Sequence, residues 1–290
     1  MTIFAILLAW AMSVGSPALQ RSPGDVPFTF ENNQIILRVS VNGHDSLNFL
    51  LDTGTDNSTI DEATARRIGL QVMLSESSRG GVPATVWLRD LKVGLLVMDS
   101  LFAWAPNLAD VSQALRRPLH GVLGYSFLKD RIVQIDYREH VVRFLNHPPA
   151  IEKSGRNVML PMHFLSGKMI PLFDALHVNG HSLRASLDTG SSLGLLLYPR
   201  ATTELGLNEA ARNARLMTTL VYGGVLEVRK GPRAELRLQT AVFDSVSLYF
   251  ASRSPEEQIL SERGGSLGNE FFKEMRLTLD YQHQQIAIER

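Results

Sequence analysis

The chain of 290 residues contains no cysteine, so disulfide bridges and thiol chemistry are excluded whatever compartment it occupies. It also lacks an excess of either charge. Lys and Arg number 29 and Asp and Glu 29, which removes the electrostatic case for nucleic acid or an anionic membrane as partner. Its N-terminal apolar run, Ile3 to Met12, is too short to span a bilayer comfortably. Ser13, Gly15, Ser16, Pro17 and Ala18 follow, the order of a secretory signal, with a cut expected after Ala18 and an uncleaved anchor as the alternative. An exported protein, periplasmic or secreted, is therefore expected. No low-complexity tract interrupts the chain, and 44% apolar residues are enough for one large core or two modest ones.

What the chain does have is a repeat. Asp52-Thr53-Gly54 recurs as Asp188-Thr189-Gly190, each at the end of an apolar run. One such triplet arises by chance in roughly 6% of chains this long, from average residue usage, and two in matching surroundings are far rarer. Those surroundings match in detail. Val41 to His44 and Val178 to His181 both read VNGH, and Asn-Gly between apolar runs predicts a type I′ hairpin whose return strand ends at the Asp. Downstream, Gly121-Val122-Leu123-Gly124 matches Gly265-Ser266-Leu267-Gly268, and the alternating strands Val133 to Tyr137 and Leu277 to Tyr281 each reach an Asp-Tyr pair. From triplet to second glycine is 72 positions in one half and 80 in the other, so one unit is used twice with about eight extra residues in the second copy.

These residues resemble the aspartic proteases, the pepsin-like and retropepsin-like group, and within it bacterial proteins with two Asp-Thr-Gly lobes fused. The resemblance covers roughly 28–144 and 158–289. It includes the pattern of two apolar residues then Gly, which Val122-Leu123-Gly124 meets; Ser266-Leu267-Gly268 departs from it in one residue, a change read as one of packing rather than chemistry. The resemblance implies an all-β, bilobal acid-protease fold: two duplicated barrel-like lobes related by a pseudo-twofold axis, with the cleft between them. The expected division is a signal or anchor over 1–18, a first lobe over 19–145, a linker over 146–157 marked by Pro148-Pro149, Lys153 and Gly155, and a second lobe over 158–290. Strands are predicted over 28–30, 34–41, 47–51, 84–91, 95–103, 132–137 and 141–144. Short helices are predicted over 61–68, from Pro199 to Gly206, and over 109–116.

The implied activity is aspartic endopeptidase. Asp52 and Asp188 would share one proton, whichever is ionised acting as base and its partner as acid, with no metal or cofactor required. Paired carboxylates in aspartic proteases are themselves the standard illustration of this coupling. The family resemblance makes Thr53 and Thr189 an interlock between the two loops, lets Gly54 and Gly190 bring backbone close to the opposing carboxylate, and places donor hydroxyls for the carboxylates at Thr55 and Ser191. An acidic optimum below about pH 6 is expected on that basis. Gly80, Gly81, Tyr222, Gly223 and Gly224 fall where the family carries its flaps. Trp87 and Trp104 read as packing residues. No pepsin-like inhibitory prosegment is expected. The partner would be a peptide or protein substrate and the active species a monomer, since one chain supplies both carboxylates. The alternative function is a catalytically silent peptide- or protein-binding relative. A remote third is a serine hydrolase using Ser192, because Gly190 to Gly194 spells a nucleophile elbow; that motif needs a helix after the serine, whereas Leu195 to Leu197 reads as a strand. His177 and His181 straddle a turn and do not match a zinc motif, and Asp136 and Asp280 read as structural turn groups.

Overall fold

The computed structural model describes residues 22, 24–74, 83–152, 155–221, 224–252 and 263–290. In the first lobe the strands are β1 (Val26–Glu31), β2 (Gln34–Val41), β3 (His44–Leu51), β4 (Thr59–Ile60), β5 (Ala84–Val93), β6 (Leu96–Ala105), β7 (Gly121–Leu123), β8 (Ile132–Asp136) and β9 (Val141–Leu145). Helices α1 (Glu62–Arg67), α2 (Ala109–Leu115) and α3 (Tyr125–Leu128) lie between them. The second lobe carries β10 (Val158–Pro161), β11 (His163–Phe164), β12 (Pro171–Val178), β13 (His181–Leu187), β14 (Leu195–Leu197), β15 (Arg215–Val221), β16 (Gly224–Leu238), β17 (Ala241–Ala251), β18 (Gly265–Leu267), β19 (Arg276–Asp280) and β20 (Gln285–Glu289). Its helices are α4 (Pro199–Glu204), α5 (Asn208–Asn213) and α6 (Asn269–Phe272).

Each lobe closes on itself. In the first, β2-β3-β7-β4-β6-β5 run side by side and β2 pairs back to β5; in the second, β12-β13-β18-β14-β17-β16 do the same and β12 pairs back to β16. Two six-stranded barrels result, and closure leaves few free strand edges. Alternation along β5, with Ala84, Val86 and Leu88 buried between more exposed neighbours, supplies one inward face. The predicted turns form as expected, with Asn42 and Gly43 at φ 51° and 75° and Asn179 and Gly180 at 48° and 85°, the positive pair that a type I′ hairpin demands. Helix α1 is capped by Asp61, whose side chain accepts from the Thr64 N–H at 2.9 Å. Asn42 then donates to the Ile68 carbonyl at 2.8 Å, fastening the hairpin turn to the end of that helix.

The lobes join through a sheet neither could build alone. Strands β10-β20-β19-β8-β9-β1 lie in that order, all antiparallel, with β8 and β19 at the centre. Gln134 faces Thr278, and Asp136 and Ile132 face Arg276 and Asp280 in mirrored positions, so the pseudo-twofold axis passes between the two middle residues. Asp136 accepts from the Arg138 and Glu139 N–H groups at 3.2 Å and from Arg276 Nε at 2.9 Å, and Asp280 accepts from the Gln282 and His283 N–H groups. Both are turn groups, as expected. Trp87 packs on the outside: it is 43% exposed and meets Phe102 edge to face across the β5–β6 hairpin at 5.4 Å, because alternation places both rings on the outer face of the barrel.

Candidate active site

The two triplets sit at equivalent places. Asp52 follows β3, which runs parallel to β7, and its N–H donates to the Leu123 carbonyl at 3.0 Å; Asp188 follows β13, parallel to β18, and its N–H donates to the Leu267 carbonyl at 3.0 Å. The loops then cross-bond. Thr53 Oγ1 donates to the Leu187 carbonyl at 3.0 Å and accepts from the Thr189 N–H at 3.0 Å. Reciprocally, Thr189 Oγ1 donates to the Leu51 carbonyl at 2.9 Å and accepts from the Thr53 N–H at 3.0 Å. Four buried hydrogen bonds thus tie one lobe's loop to the other's, and each would leave a polar group stranded if broken.

The glycines are needed for the approach of the carboxylates. A Cβ on Gly54 would stand 2.6 Å from Asp188 Oδ1, and one on Gly190 would overlap Asp52 Cγ. Each glycine N–H instead donates to its own lobe's carboxylate, Gly54 to Asp52 Oδ1 at 2.7 Å and Gly190 to Asp188 Oδ1 at 3.0 Å. The loops are also gripped from across the cleft. Asn33 and Gln34 of the first lobe donate to the Ser192 and Gly190 carbonyls at 2.9 and 3.1 Å, while the Met169 N–H of the second donates to Asp56 Oδ1 at 2.6 Å. Asn269 donates to the Thr189 and Asn33 carbonyls at 2.6 and 2.8 Å and accepts from the Tyr137 hydroxyl at 2.7 Å.

Burial dominates the electrostatics. Asp52, 6% exposed, is pushed up to about 8 from an ordinary 3.8, first by burial and then by the charge of Asp188, with the Gly54 and Gly190 N–H groups opposing. Asp188 is also raised by burial, but the Arg263 charge, the Ser266 hydroxyl, the Gly190 N–H and a hydrogen bond from Asp52 all pull it down. The two titrate as one coupled pair. Two expectations change here. Thr55 Oγ1 donates to the Asn57 carbonyl at 3.4 Å and Ser191 Oγ accepts from the Leu193 N–H at 3.4 Å, so neither hydroxyl is bonded to a dyad carboxylate. The donor is Ser266, whose Oγ lies 3.2 Å from Asp188 Oδ2. Its departure from the apolar pattern therefore puts a hydrogen-bond donor on a carboxylate of the pair and is not one of packing alone. With the Thr55 and Ser191 donors gone and burial raising both groups, the acidic optimum loses its stated basis.

Gly80, Gly81, Tyr222 and Gly223, the flap candidates, lie outside the described residues, as do the run Ile3–Met12 and the cut after Ala18. Gly224 opens β16, paired with Val221 at the tip of the β15–β16 hairpin. Ser192 is followed by strand β14 rather than a helix, and its hydroxyl is 3.2 Å from that of Thr219, which removes the nucleophile-elbow reading. Among the described residues no cluster of His, Cys, Asp and Glu could hold a metal ion, and no helix is long and apolar enough to cross a membrane. Sequence reasoning read Ser266 as a matter of packing and missed Arg263 and Asn269. Aligning the two repeats position by position exposes the first two, since Ser266 stands against Val122 and Arg263 against Leu119.

The model of one protein family, described as aspartyl protease, matches residues 37–127 and 175–271, about two thirds of the chain. The chain belongs to the aspartyl protease family. A search of curated proteins finds no match. Among solved structures, basic 7S globulin from soybean aligns with a TM-score of 0.53 at 8% identity, covering 91% of this chain and 94% of that one. Conglutin gamma, described as a unique basic 7S globulin from lupine seeds, aligns at 0.52 and 12% identity, covering 91% and 93%. At such identities the likeness is one of fold alone, and this family member takes its chemistry from its own residues.

Proposed function

We propose that this aspartyl protease family member is an active aspartic endopeptidase, with Asp52 and Asp188 as the catalytic pair. The observation that carries the reading is the meeting of two buried carboxylates, one from each lobe, across glycines that leave no room for a Cβ and between threonines that lock the loops. In the singly ionised pair, the anion takes a proton from water as its oxygen bonds to the peptide carbonyl carbon. The neutral partner gives its proton to the carbonyl oxygen, which receives the displaced π electrons. Collapse of the resulting diol breaks the C–N bond: the leaving nitrogen takes the proton held by one member of the pair while a diol hydroxyl gives its proton to the anionic member, which restores the singly ionised pair. Because Asp52 is raised to about 8, one proton should be retained to near neutrality. Action as a monomer on peptide or protein substrate, and export by way of the N-terminal run, belong to the same reading.

A non-cleaving peptide- or protein-binding relative is the second reading, favoured by the globulin descriptions of the fold's neighbours. The test is cleavage of a diverse peptide mixture across pH 3–9 by the full chain and by its Asp52→Asn and Asp188→Asn variants. The expected outcome is cleavage by the parent, falling by about a hundredfold to ten-thousandfold in each variant, the range of a lost acid–base group. A folded parent that cleaves nothing would leave the binding relative; cleavage surviving either substitution would move the chemistry elsewhere.

A further inference from the structure

The two carboxylates are not in equivalent surroundings, although the strands that hold them are. In the first lobe β3 and β7 align Phe49 with Gly121, Leu50 with Val122 and Leu51 with Leu123; in the second, β13 and β18 align Ala185 with Gly265, Ser186 with Ser266 and Leu187 with Leu267. The middle pair differs. Leu50 and Val122 belong to a buried apolar cluster with Ile36, Leu108, Leu115 and Leu119. Their counterparts Ser186 and Ser266 are buried hydroxyls, and the counterpart of Leu119 is Arg263. Three apolar positions on one side of the dyad are thus polar on the other.

Those polar groups are joined. Arg263 Nη1 donates to Ser186 Oγ at 2.7 Å, and its guanidinium lies over the Tyr198 ring at 5.3 Å. Among the described residues it forms no ion pair, and its Nε is buried without a hydrogen-bond partner. Ser266 Oγ donates to Asp188 Oδ2. A hydroxyl donor and a nearby cation both favour the ionised form of a carboxyl group.

We propose that Asp188 is the resting anion of the pair and Asp52 carries the proton, with Ser266 and Arg263 as the positioning residues that fix this assignment. Among the described residues, the groups facing Asp188 are Asp52, Arg263, Ser266, the Gly190 N–H and Tyr198; those facing Asp52 are Asp188, the Gly54 and Gly190 N–H groups and Tyr281, whose buried hydroxyl has no partner among them. Only Arg263 among them is a cation, and it acts on Asp188. In catalysis Asp188 then takes the proton from water and Asp52 protonates the carbonyl oxygen. That consequence rests on the peptidase reading, whereas the place of the proton does not.

The test is a carbon-13 NMR titration of the full chain with aspartate labelled at the carboxyl carbon, the two signals assigned from the Asp52→Asn and Asp188→Asn spectra. Asp188 is expected to ionise at the lower pH. In Ser266→Ala its transition should move up by about one pH unit, the scale of one lost donor to a carboxylate. Arg263→Gln should move it in the same direction, while Arg263→Lys, which keeps the charge, should largely restore the parent value. In an active enzyme the acid limb of kcat/KM should follow the same shift. Asp52 ionising first, or an Asp188 transition unmoved in a folded Ser266→Ala, would overturn the assignment. Absence of cleavage with the titration order intact would remove the peptidase reading and leave the assignment standing.

Discussion

Behind Asp52 the first lobe packs Leu50 and Val122, with Leu119 just before β7; behind Asp188 the second places Ser186 and Ser266 on the equivalent strands in the same register, with Arg263 just before β18. Backbone placement survives duplication because it is set by parallel pairing and by the cross-bonded threonines, which recur unchanged. Side chains one layer back are free to diverge once those constraints are met. Two copies of a frame can therefore hold chemically different members of one pair.

The largest effects test the part held in common. Gly54→Ala and Gly190→Ala each put a methyl group against the opposing carboxylate, and cleavage should fall by more than about a hundredfold in both, the usual consequence of misplacing reacting groups by an ångström. Peptide assays in which one lobe tolerates the methyl and the other does not would break the equivalence of the two loops. Thr53→Val and Thr189→Val come next. Each removes one buried hydroxyl that donates once and accepts once, so each should lower unfolding free energy by about 2–3 kcal/mol in urea titrations. Unequal losses would show that the interlock is asymmetric in spite of its matched distances.

A smaller effect should separate the two Asp-Tyr corners. The Asp136 carboxyl is buried, which raises it, yet the Glu139 N–H, Arg276 and Arg143 hold it below the ordinary carboxylate value. A depressed carboxyl contributes stability above its unfolded value and loses it as pH falls toward the folded one. Asp136→Asn should therefore cost about 2 kcal/mol near pH 7, a figure kept modest because both guanidiniums reach solvent, and the deficit should shrink once pH drops below 3.8. Asp280, whose side-chain partner is the His283 ring in place of two arginines, should lose about half as much on the same substitution. Equal losses measured by denaturation across pH would mean that the arginines add nothing.

Much of this architecture was legible in the residues because its signals are local. Asn-Gly turns, the Asp61 cap, the alternating strands before each Asp-Tyr pair and the two triplets each depend on neighbours within a few positions. The pairing of β2 with β5, of β12 with β16 and of β8 with β19 was not legible, since nothing in a strand's own sequence names a distant partner. The outward place of Trp87 was not legible for a related reason: its register in the barrel, not its aromatic character, decides which face it takes. At the site the triplets announced the carboxylates, but Ser266 looked like a lapse in an apolar pattern until its hydroxyl was found against Asp188.

The central sheet has one further consequence, for the making of the protein. Gln134 and Thr278 face each other in its middle yet lie 144 positions apart, so β8 exists for roughly 7–30 s of ordinary synthesis before its partner is made. Throughout that interval the N–H and C=O groups on its side away from β9 form an open edge, and the strand built to fill it is the near copy of β8 itself. On a crowded polysome the strongest competitor for that edge is therefore the β8 of a neighbouring unfinished chain.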